Sequence, residues 1–319
     1  MIKDEICCNE WGDRTYLWLL RQRGPSTRGE PGVAGFGCAE PVGSSFAADG
    51  TPAESRTLIG KGGSRYGVRV GATNDEEALT GGNASASVVR IGDTVRKPWL
   101  PTTDLTVSYM RGLSDRGIDL PEPRGRDDQG RLVLEYVPGA LAMDRGPLGA
   151  SLLRRIGALV RVIHDASVGL PLPDPWEVLL PADRPNLLCH NDLATWNLVI
   201  DGERLVFIDW DGSGPSIRLW DLAYAAISFG HLFAGEDLDV ATGRLVAFLE
   251  GYDADDLLRA ALPTRMAQRA RAMHDLLRRS HEFSQEPWGS MYVDGHGEHW
   301  DGAAAFIAQH EEAWRRALS

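Results

Sequence analysis

The chain contains little lysine and has no excess of basic residues. Of its 33 Lys and Arg residues only Lys3, Lys61 and Lys97 are lysine, and they face 45 Asp and Glu residues. The formal net charge of −12 at pH 7 argues against a nucleic-acid-binding protein, because binding to phosphates requires a basic face. In such a composition, a lysine at a position where the chemistry requires a cation is informative.

Long apolar segments are also missing. No run approaches the ~18 consecutive apolar residues of a membrane-spanning helix, and the start of the chain lacks the basic flank and apolar stretch of a secretory signal. The four cysteines, Cys7, Cys8, Cys38 and Cys189, fit neither a zinc site nor a disulfide framework. We therefore expect a cytoplasmic protein in a reducing compartment, with neither nucleic acid nor a membrane as a partner.

Composition and hydrophobic periodicity divide the chain into three parts. Residues 1–80 contain 13 Gly, 4 Pro and 5 Ser, close to the level that is typical of disorder. We expect residues 1–78 to be a disordered or spurious N-terminal extension. Residues 79–137 are rich in strand signals, and residues 138–319 are mostly helical in pattern. This order predicts an α+β protein with two lobes.

Two hairpins are predicted from β-branched and apolar runs that flank Gly-Asp or Asp-Gly turns. The first pairs Ser87–Ile91 with Thr94–Lys97, and the second pairs Leu198–Ile200 with Leu205–Ile208. Arg131–Val137 is a further predicted strand. Apolar periodicity and terminal signals predict six helices: Asp104–Arg116, Leu148–Ala166, Arg218–Phe229, Ala241–Tyr252, Thr264–Phe283 and Trp300–Leu318.

Polar residues concentrate in one loop after an apolar strand. His190, Asp192 and Asn197 lie in this loop, and the spacing of five lets Asp192 and Asn197 face a common cavity. Asp209 follows the apolar run Leu205–Ile208 and should face a cleft, because burying its charge without a partner costs roughly several kcal/mol. Together these side chains offer hard oxygen ligands and a spare carboxylate, which suits Mg²⁺.

The pattern His-x-Asp-x₄-Asn, followed by a strand that ends in Ile-Asp-Trp, resembles the catalytic core of the aminoglycoside phosphotransferase family. This family is the small-molecule-kinase branch of the protein-kinase-like fold, and its catalytic loop is similar to that of protein kinases. The resemblance runs from about residue 79 to the end. It implies a small β-rich N-lobe, a larger helical C-lobe, and transfer of the γ-phosphoryl group of ATP or GTP to a hydroxyl of a small molecule.

The resemblance implies a role for each polar residue of the core. Asp192 would be the catalytic base or orient the hydroxyl group, and Asn197 and Asp209 would hold Mg²⁺. Asp221, in a Trp-Asp-Leu-Ala-Tyr stretch, resembles a family aspartate that supports the catalytic loop. His190 is interpreted as a structural brace of that loop, since a histidine beside a loop is more often a brace than a base or a ligand.

The resemblance also implies a cation that grips the nucleotide phosphates. Lys97 shares a strand face with Val95 and is the first candidate, with Arg96 as the alternative. The fold usually supplies a Glu on the following helix to orient this lysine, and the predicted helix has none. Either Asp104, near the start of that helix, holds the cation or nothing charged does.

Two further segments resemble nucleotide-binding elements of the family. Thr80–Ser85, which includes Gly82, resembles the loop that covers the nucleotide phosphates. The stretch around Glu135 and Val137 resembles the linker whose backbone would bind the purine. Asp211 could reach the metal region but is more simply a loop residue.

The acceptor is constrained only by charge. Residues 183–319 contain 22 acidic and 12 basic residues, which favours a cationic acceptor by attracting it to the lobe; a solvated acidic surface that maintains solubility is the equal alternative. The expected acceptor is an aminoglycoside or another cationic or polyhydroxylated small molecule. The competing hypothesis is a catalytically silent, kinase-like binding or regulatory protein. The sequence indicates no oligomeric state.

Overall fold

A computed structural model describes residues 76–79 and 88–319 of the chain. The predicted phosphate-covering loop Thr80–Ser85, with Gly82, lies outside the described residues. So does the predicted N-terminal extension up to residue 75. Both therefore stay predictions.

The first part of the described chain is a five-stranded antiparallel sheet in the order β1-β2-β3-β5-β4. The predicted hairpin is confirmed, with Ile91 of β2 opposite Thr94 of β3 across a turn in which Gly92 has φ 62°. Strand β4 was not predicted, because its Pro and Gly weaken a strand pattern; it lies at the sheet edge, where Pro is tolerated. The strands are β1 Glu77–Ala78, β2 Val89–Ile91, β3 Thr94–Lys97, β4 Pro123–Arg126 and β5 Leu132–Glu135.

Helix α1, Thr103–Ser114, follows β3 and packs its buried face on the second part of the chain. Its Tyr109 hydroxyl lies 3.0 Å from the backbone oxygen of Leu188, to which it donates, and 2.8 Å from the Ser167 hydroxyl. These buried contacts join the helix to the strand that precedes the polar loop.

The second part contains two small sheets and the remaining helices. The predicted second hairpin is confirmed, with Val199 opposite Val206. The strands are β6 Ala140–Leu141, β7 Leu187–Cys189, β8 Leu198–Asp201, β9 Arg204–Phe207 and β10 Gly214–Ser216. The helices are α2 Ala150–Ser167, α3 Arg218–Gly230, α4 Leu238–Tyr252, α5 Asp256–Glu282, α6 Trp288–Met291, α7 Gly297–Gln309 and α8 Glu311–Leu318.

Two predicted helix boundaries are wrong. Helix α5 starts at Asp256 rather than Thr264, because Asp255 caps it by accepting from the Leu258 amide at 2.8 Å and Pro263 is accommodated inside it. The predicted single terminal helix is two helices, since the backbone leaves helical geometry at His310 (φ −105°, ψ 16°). None of the described helices is long and apolar enough to cross a membrane.

Helices α2 and α4 approach closely at two glycines. A Cβ on Gly157 would collide with the backbone of α4 at Phe248 and Tyr252, and one on Gly251 would collide with the backbone of Arg154. Any side chain there would force the helices apart. This close crossing places Tyr252 beside His164, which has a role in the site described below.

Candidate active site

The polar loop after β7 is anchored by Leu193 and Ala194, both fully buried. Within it, Nδ2 of Asn197 donates to Oδ2 of Asp192 at 2.7 Å and to the backbone oxygen of Asp192 at 3.0 Å. A short 3₁₀ turn, Thr195–Asn197, then leads into β8. The structure therefore brings the side chains of Asp192 and Asn197 into contact within one loop.

The residue before Asp192 is held by a buried network. Asn191 has φ 65°, and its amide donates to Oδ1 of Asp221 at 2.9 Å. Oδ2 of Asp221 accepts from Nε2 of His164 at 3.0 Å, and Nδ1 of His164 accepts from the Tyr252 hydroxyl at 2.8 Å. Cys189 lies in the same group, but both ring nitrogens of His164 are already hydrogen-bonded. The group is a hydrogen-bonded support and not a metal site.

His190 connects the polar loop to the strand that precedes Asp209. Its Nε2 lies 3.0 Å from the backbone oxygen of Ile208, an atom that only accepts, so this nitrogen carries the proton. Its Nδ1 then accepts from the Asp192 amide at 3.3 Å. The buried ring packs against Trp210 with centroids 4.5 Å apart. One side chain thus fixes the spacing between Asp192 and Asp209.

Lys97, itself buried, forms an ion-pair cluster with two half-buried carboxylates. Its Nζ lies 2.6 Å from Oδ1 of Asp209 and 2.6 Å from Oδ2 of Asp211. Asp209 lies just beyond β9 with φ 60°, which turns the chain so that both carboxylates face the same point. Lys97 is 5% exposed, and water therefore screens the cluster poorly.

The electrostatics of the cluster favour a charged lysine. Burial by itself lowers the pKa of Lys97, but Asp209 and Asp211 outweigh burial and raise this pKa above its usual value. Burial raises the pKa of Asp209, but Lys97 outweighs it and the net pKa is lowered. The pKa of Asp211 is raised, because burial dominates over the attraction of Lys97.

Asp192 differs from Asp209 in its surroundings. Burial raises the pKa of the Asp192 carboxyl, and the nearby Asp209 charge adds to the rise. His190 and hydrogen bonds from Tyr224 and Asn197 act in the opposite direction without cancelling it. Two neighbouring carboxyls therefore have pKa values displaced in opposite directions.

Arg96, the alternative cation, and Asp104, the expected partner of the cation, both lie away from the cluster. Arg96 points to the opposite face of β3 and pairs with Asp127, with Nε 3.4 Å from Oδ2. Asp104 is exposed on the first turn of α1 and pairs with no cation in the described part of the chain. The sequence offered Asp104 or no charged group as the partner of Lys97, and both options are wrong: the partners come from the segment after β9.

The predicted linker between the lobes follows β5. Glu135 donates its amide to the Glu122 carbonyl at 2.9 Å and so belongs to the sheet. Val137 is buried, and within the described part of the chain neither its backbone N–H nor its C=O has a hydrogen-bond partner. Gly139, with φ 134°, then passes so close to β8 that a Cβ would lie 2.7 Å from Val199.

Two residues near the loop were not predicted as part of it. Asp211 is interpreted from the sequence as a loop residue, yet it pairs with Lys97; the Asp-Trp-Asp spacing after a strand was the available signal. Arg269, on α5, lies buried against Tyr224 and the loop backbone. No local pattern marks it, because its partner in the loop is 78 positions away.

Comparison with protein families supports a phosphotransferase. Residues 172–238 match the model of the APH phosphotransferase enzyme family. This segment contains the polar loop, Asp209 and Asp221, and the match confirms the resemblance to the aminoglycoside phosphotransferases. No curated protein matches the chain.

Solved structures confirm the fold. A choline/ethanolamine kinase family protein from Mesorhizobium loti is 19% identical, with a TM-score of 0.54 over 77% of this chain and 94% of its own. A microcompartment-associated aminopropanol kinase is 14% identical, with a TM-score of 0.53 over 77% and 94%. An amicoumacin kinase in complex with AMP-PNP, Ca²⁺ and Ami is 16% identical, with a TM-score of 0.51 over 76% and 89%.

At these identities the likeness concerns the fold alone. The chain has the architecture of kinase-like small-molecule kinases, with an antiparallel sheet in its N-terminal part and helices in its C-terminal part. The predicted α+β, protein-kinase-like fold is therefore confirmed.

Proposed function

We propose that this protein transfers the γ-phosphoryl group of ATP or GTP to a hydroxyl group of a small molecule. The observation that carries the proposal is the convergence of Lys97, Asp192, Asn197 and Asp209 from three separate segments. The family match over residues 172–238 supports it independently. Phosphoryl transfer requires little covalent work from a protein, because positioning and charge stabilisation supply most of the barrier reduction.

The oxygen donors beside Lys97 fit a divalent metal such as Mg²⁺. Asn197 uses Nδ2 to bind Asp192, which leaves its Oδ1 as the ligand atom, and Asp209 offers a carboxylate. Mg²⁺ prefers hard oxygen ligands of this kind. We infer that Asn197 and Asp209 hold the ion, which when bound would neutralise charge on the nucleotide phosphates. The amicoumacin kinase of the same fold contains Ca²⁺ together with AMP-PNP.

Asp192 is the proposed base. Its raised pKa makes it a better proton acceptor than an ordinary exposed aspartate. The bond from Asn197 restrains the carboxylate, and the bond from the Asp192 amide to His190 holds the backbone that carries it. It would accept the proton of the acceptor hydroxyl, or orient that hydroxyl, as the new bond to phosphorus forms.

Lys97 is the proposed ligand of the α- and β-phosphates. The helix Glu that commonly orients such a lysine is missing, and Asp211 is placed to substitute for it. Asp209 would turn to the metal while Asp211 keeps Lys97 in place. The hypothesis of a silent binding protein rests on the missing Glu, and the pairing of Asp211 with Lys97 supports the kinase proposal against it.

The nucleotide base is proposed to bind at the linker after β5. The N–H and C=O of Val137, which have no hydrogen-bond partner among the described residues, offer one donor and one acceptor to a purine edge. Glu135, the last residue of β5, would contribute to the same site through its backbone. Both adenine and guanine present such an edge, so these two backbone groups do not discriminate between ATP and GTP.

The acceptor is proposed to be a small cationic or polyhydroxylated molecule, including aminoglycosides. The acidic excess of residues 183–319 favours a cation. The fold relatives named above are a choline/ethanolamine kinase family protein, an aminopropanol kinase and an amicoumacin kinase. We expect the acceptor within that range of amino alcohols and antibiotics.

The test combines nucleotide binding and transfer. Thermal shift with ATP or GTP, with and without Mg²⁺, should show metal-dependent stabilisation, followed by transfer in a screen of amino alcohols and aminoglycosides. Asp192→Ala should bind nucleotide like the wild type and transfer about 100-fold more slowly or worse. The control is Asp239→Ala, which removes an exposed carboxylate from α4. Absence of nucleotide binding, or full transfer by Asp192→Ala, would contradict the proposal.

A further inference from the structure

Arg269 is a buried cation directly behind the polar loop. It is 4% exposed, and its guanidinium lies 4.3 Å from the ring centre of Tyr224 and 5.5 Å from that of Trp220. Its Nη2 donates to the backbone oxygen of Asn191 at 3.3 Å. Its Nε and Nη1 are also buried, and within the described part of the chain they have no hydrogen-bond partner.

Packing alone does not account for an arginine at this position. Burying a guanidinium with two nitrogens unpaired is unfavourable, and an apolar side chain of similar length would fill the same space more favourably. The aromatic faces of Tyr224 and Trp220 compensate only in part. What an arginine adds here, and an apolar side chain does not, is the hydrogen bond to Asn191 and a positive charge that faces Asp192 and Asp221.

The bonded oxygen belongs to the peptide group that joins Asn191 to Asp192. The C=O of this peptide accepts from Arg269, and its N–H donates to Nδ1 of His190 at 3.3 Å. One residue earlier, the Asn191 amide donates to Asp221. Because a peptide group is planar, ties at both of its ends fix its orientation and so the direction in which Asp192 leaves the chain.

We propose that Arg269 is a positioning residue: by holding the Asn191 carbonyl it fixes the peptide plane that aims the Asp192 carboxylate at the acceptor. The inference rests on the proposed function for the role of Asp192. The geometric part, a clamp on the loop, stands apart from any reaction. It assigns to α5 a task in the site, although α5 lies outside the segment that matches the family model.

The clamp is tested by hydrogen exchange of the whole protein. In Arg269→Met, peptides that cover Asn191–Asn197 should exchange about fivefold faster, while those of α4 keep the wild-type rate. Arg269→Lys keeps a charged donor and should restore most of the protection. The control is Arg265→Met, one turn earlier on α5 and also near Trp220, which should leave the loop unchanged.

Unchanged loop exchange in Arg269→Met, or equal acceleration in the loop and in α4, would overturn the clamp. So would an Arg269→Lys protein that behaves like Arg269→Met. If Arg269→Met does not fold, the shorter Arg269→Gln takes its place with the same expectation.

The catalytic part is tested by Mg²⁺-dependent ATP hydrolysis, in which water replaces the unidentified acceptor. In Arg269→Met kcat should fall about tenfold to 100-fold, while KM for ATP stays within about twofold, since nucleotide contacts lie elsewhere. A fall in kcat together with a comparable rise in KM for ATP would indicate a merely structural role and reject the proposal. If the wild type neither binds nor hydrolyses ATP or GTP, the proposed function fails, whereas the exchange experiment still decides the clamp.

Discussion

Nζ of Lys97 lies 2.6 Å from Oδ1 of Asp209, although the two residues are 112 positions apart in the sequence. Asp211 approaches the same nitrogen at 2.6 Å, so two carboxylates share one cation. The cluster joins the five-stranded sheet to the hairpin that carries the polar loop. Removal of Lys97 leaves two carboxylates facing each other without a cation, whereas removal of one carboxylate leaves a single ion pair, so the three residues are energetically interdependent.

The first prediction concerns this cluster. Lys97→Met leaves Asp209 and Asp211 facing each other without a cation, and we expect the free energy of unfolding to fall by about 3 kcal/mol at pH 7 without metal. Mg²⁺ should then raise the melting temperature of the variant more than that of the wild type, because the ion replaces the missing charge. Urea unfolding and thermal melts with and without Mg²⁺ measure both effects.

The control for this prediction is the double variant Lys97→Met with Asp211→Asn. Because Asp211→Asn removes one of the two carboxylates that repel each other in Lys97→Met, the double variant should recover part of the lost stability. An unchanged urea midpoint in Lys97→Met, or a double variant less stable than the single one, would show that the cluster does not stabilise the fold.

Local patterns in the sequence predict much of this architecture. The first hairpin follows from β-branched runs around Gly92, and the period of two correctly places Lys97 and Arg96 on opposite faces. The spacing of five correctly predicts that Asp192 and Asn197 meet, because both belong to one loop.

Contacts between distant elements could not be predicted in the same way. The sequence places the possible partner of Lys97 on the next helix, at Asp104, whereas in the structure Asp211 pairs with it from the short turn that follows β9. The pairing of Arg269 with the polar loop depends on how α5 crosses α3, which periodicity does not encode. A pattern identifies a buried face but not the element that covers it.

The second prediction concerns acid stability. Burial, with His296 and His231 nearby, lowers the pKa of His299 to about 4, against 6.5 for an ordinary histidine. Between these two pH values the unfolded chain binds a proton that the folded chain does not, so stability falls as the pH falls through this window. In His299→Phe, whose ring would pack on Phe233 and Trp300, this fall should disappear.

The measurement is the free energy of unfolding of both proteins from pH 7 to pH 4. Relative to His299→Phe, the wild type should lose on the order of 2 kcal/mol over this range. His281→Phe, at an exposed position, is the control, and its curve should run parallel to that of the wild type. Parallel curves for His299→Phe as well would contradict the prediction.

The third prediction concerns the crossing of α2 and α4. Gly157→Ala places a methyl group against the backbone of Phe248 and should destabilise the protein by about 2 kcal/mol or more, because backbone cannot move aside as a flexible side chain can. Gly243→Ala, on the open side of α4, meets nothing within 4 Å and should stabilise it by up to about 1 kcal/mol through helix propensity. Chemical unfolding of both variants checks the opposite signs. A Gly157→Ala protein as stable as the wild type would show that the approach at Gly157 is not close.

The fourth prediction separates the backbone of Asn191 from its side chain. With φ 65°, this position accepts Gly without strain but opposes a β-branched residue. Asn191→Gly loses only the hydrogen bonds from Nδ2 to the Gly212 and Gly214 carbonyls. Its rate of phosphoryl transfer should therefore stay within several-fold of the wild-type rate. Asn191→Val should lose about 1–2 kcal/mol through backbone strain and most of its transfer, because the peptide before Asp192 can no longer lie in place.

The matched control for Asn191 is Asp253, which follows the last residue of α4, has φ 56° and is exposed. Asp253→Val should lose stability to a similar extent as Asn191→Val but keep wild-type transfer, and Asp253→Gly should be close to the wild type in both. Equal transfer by the two valine variants would show that the left-handed turn at Asn191 serves only the fold. Unequal transfer at equal stability would tie that turn to the placement of Asp192, since backbone strain itself is common to both sites.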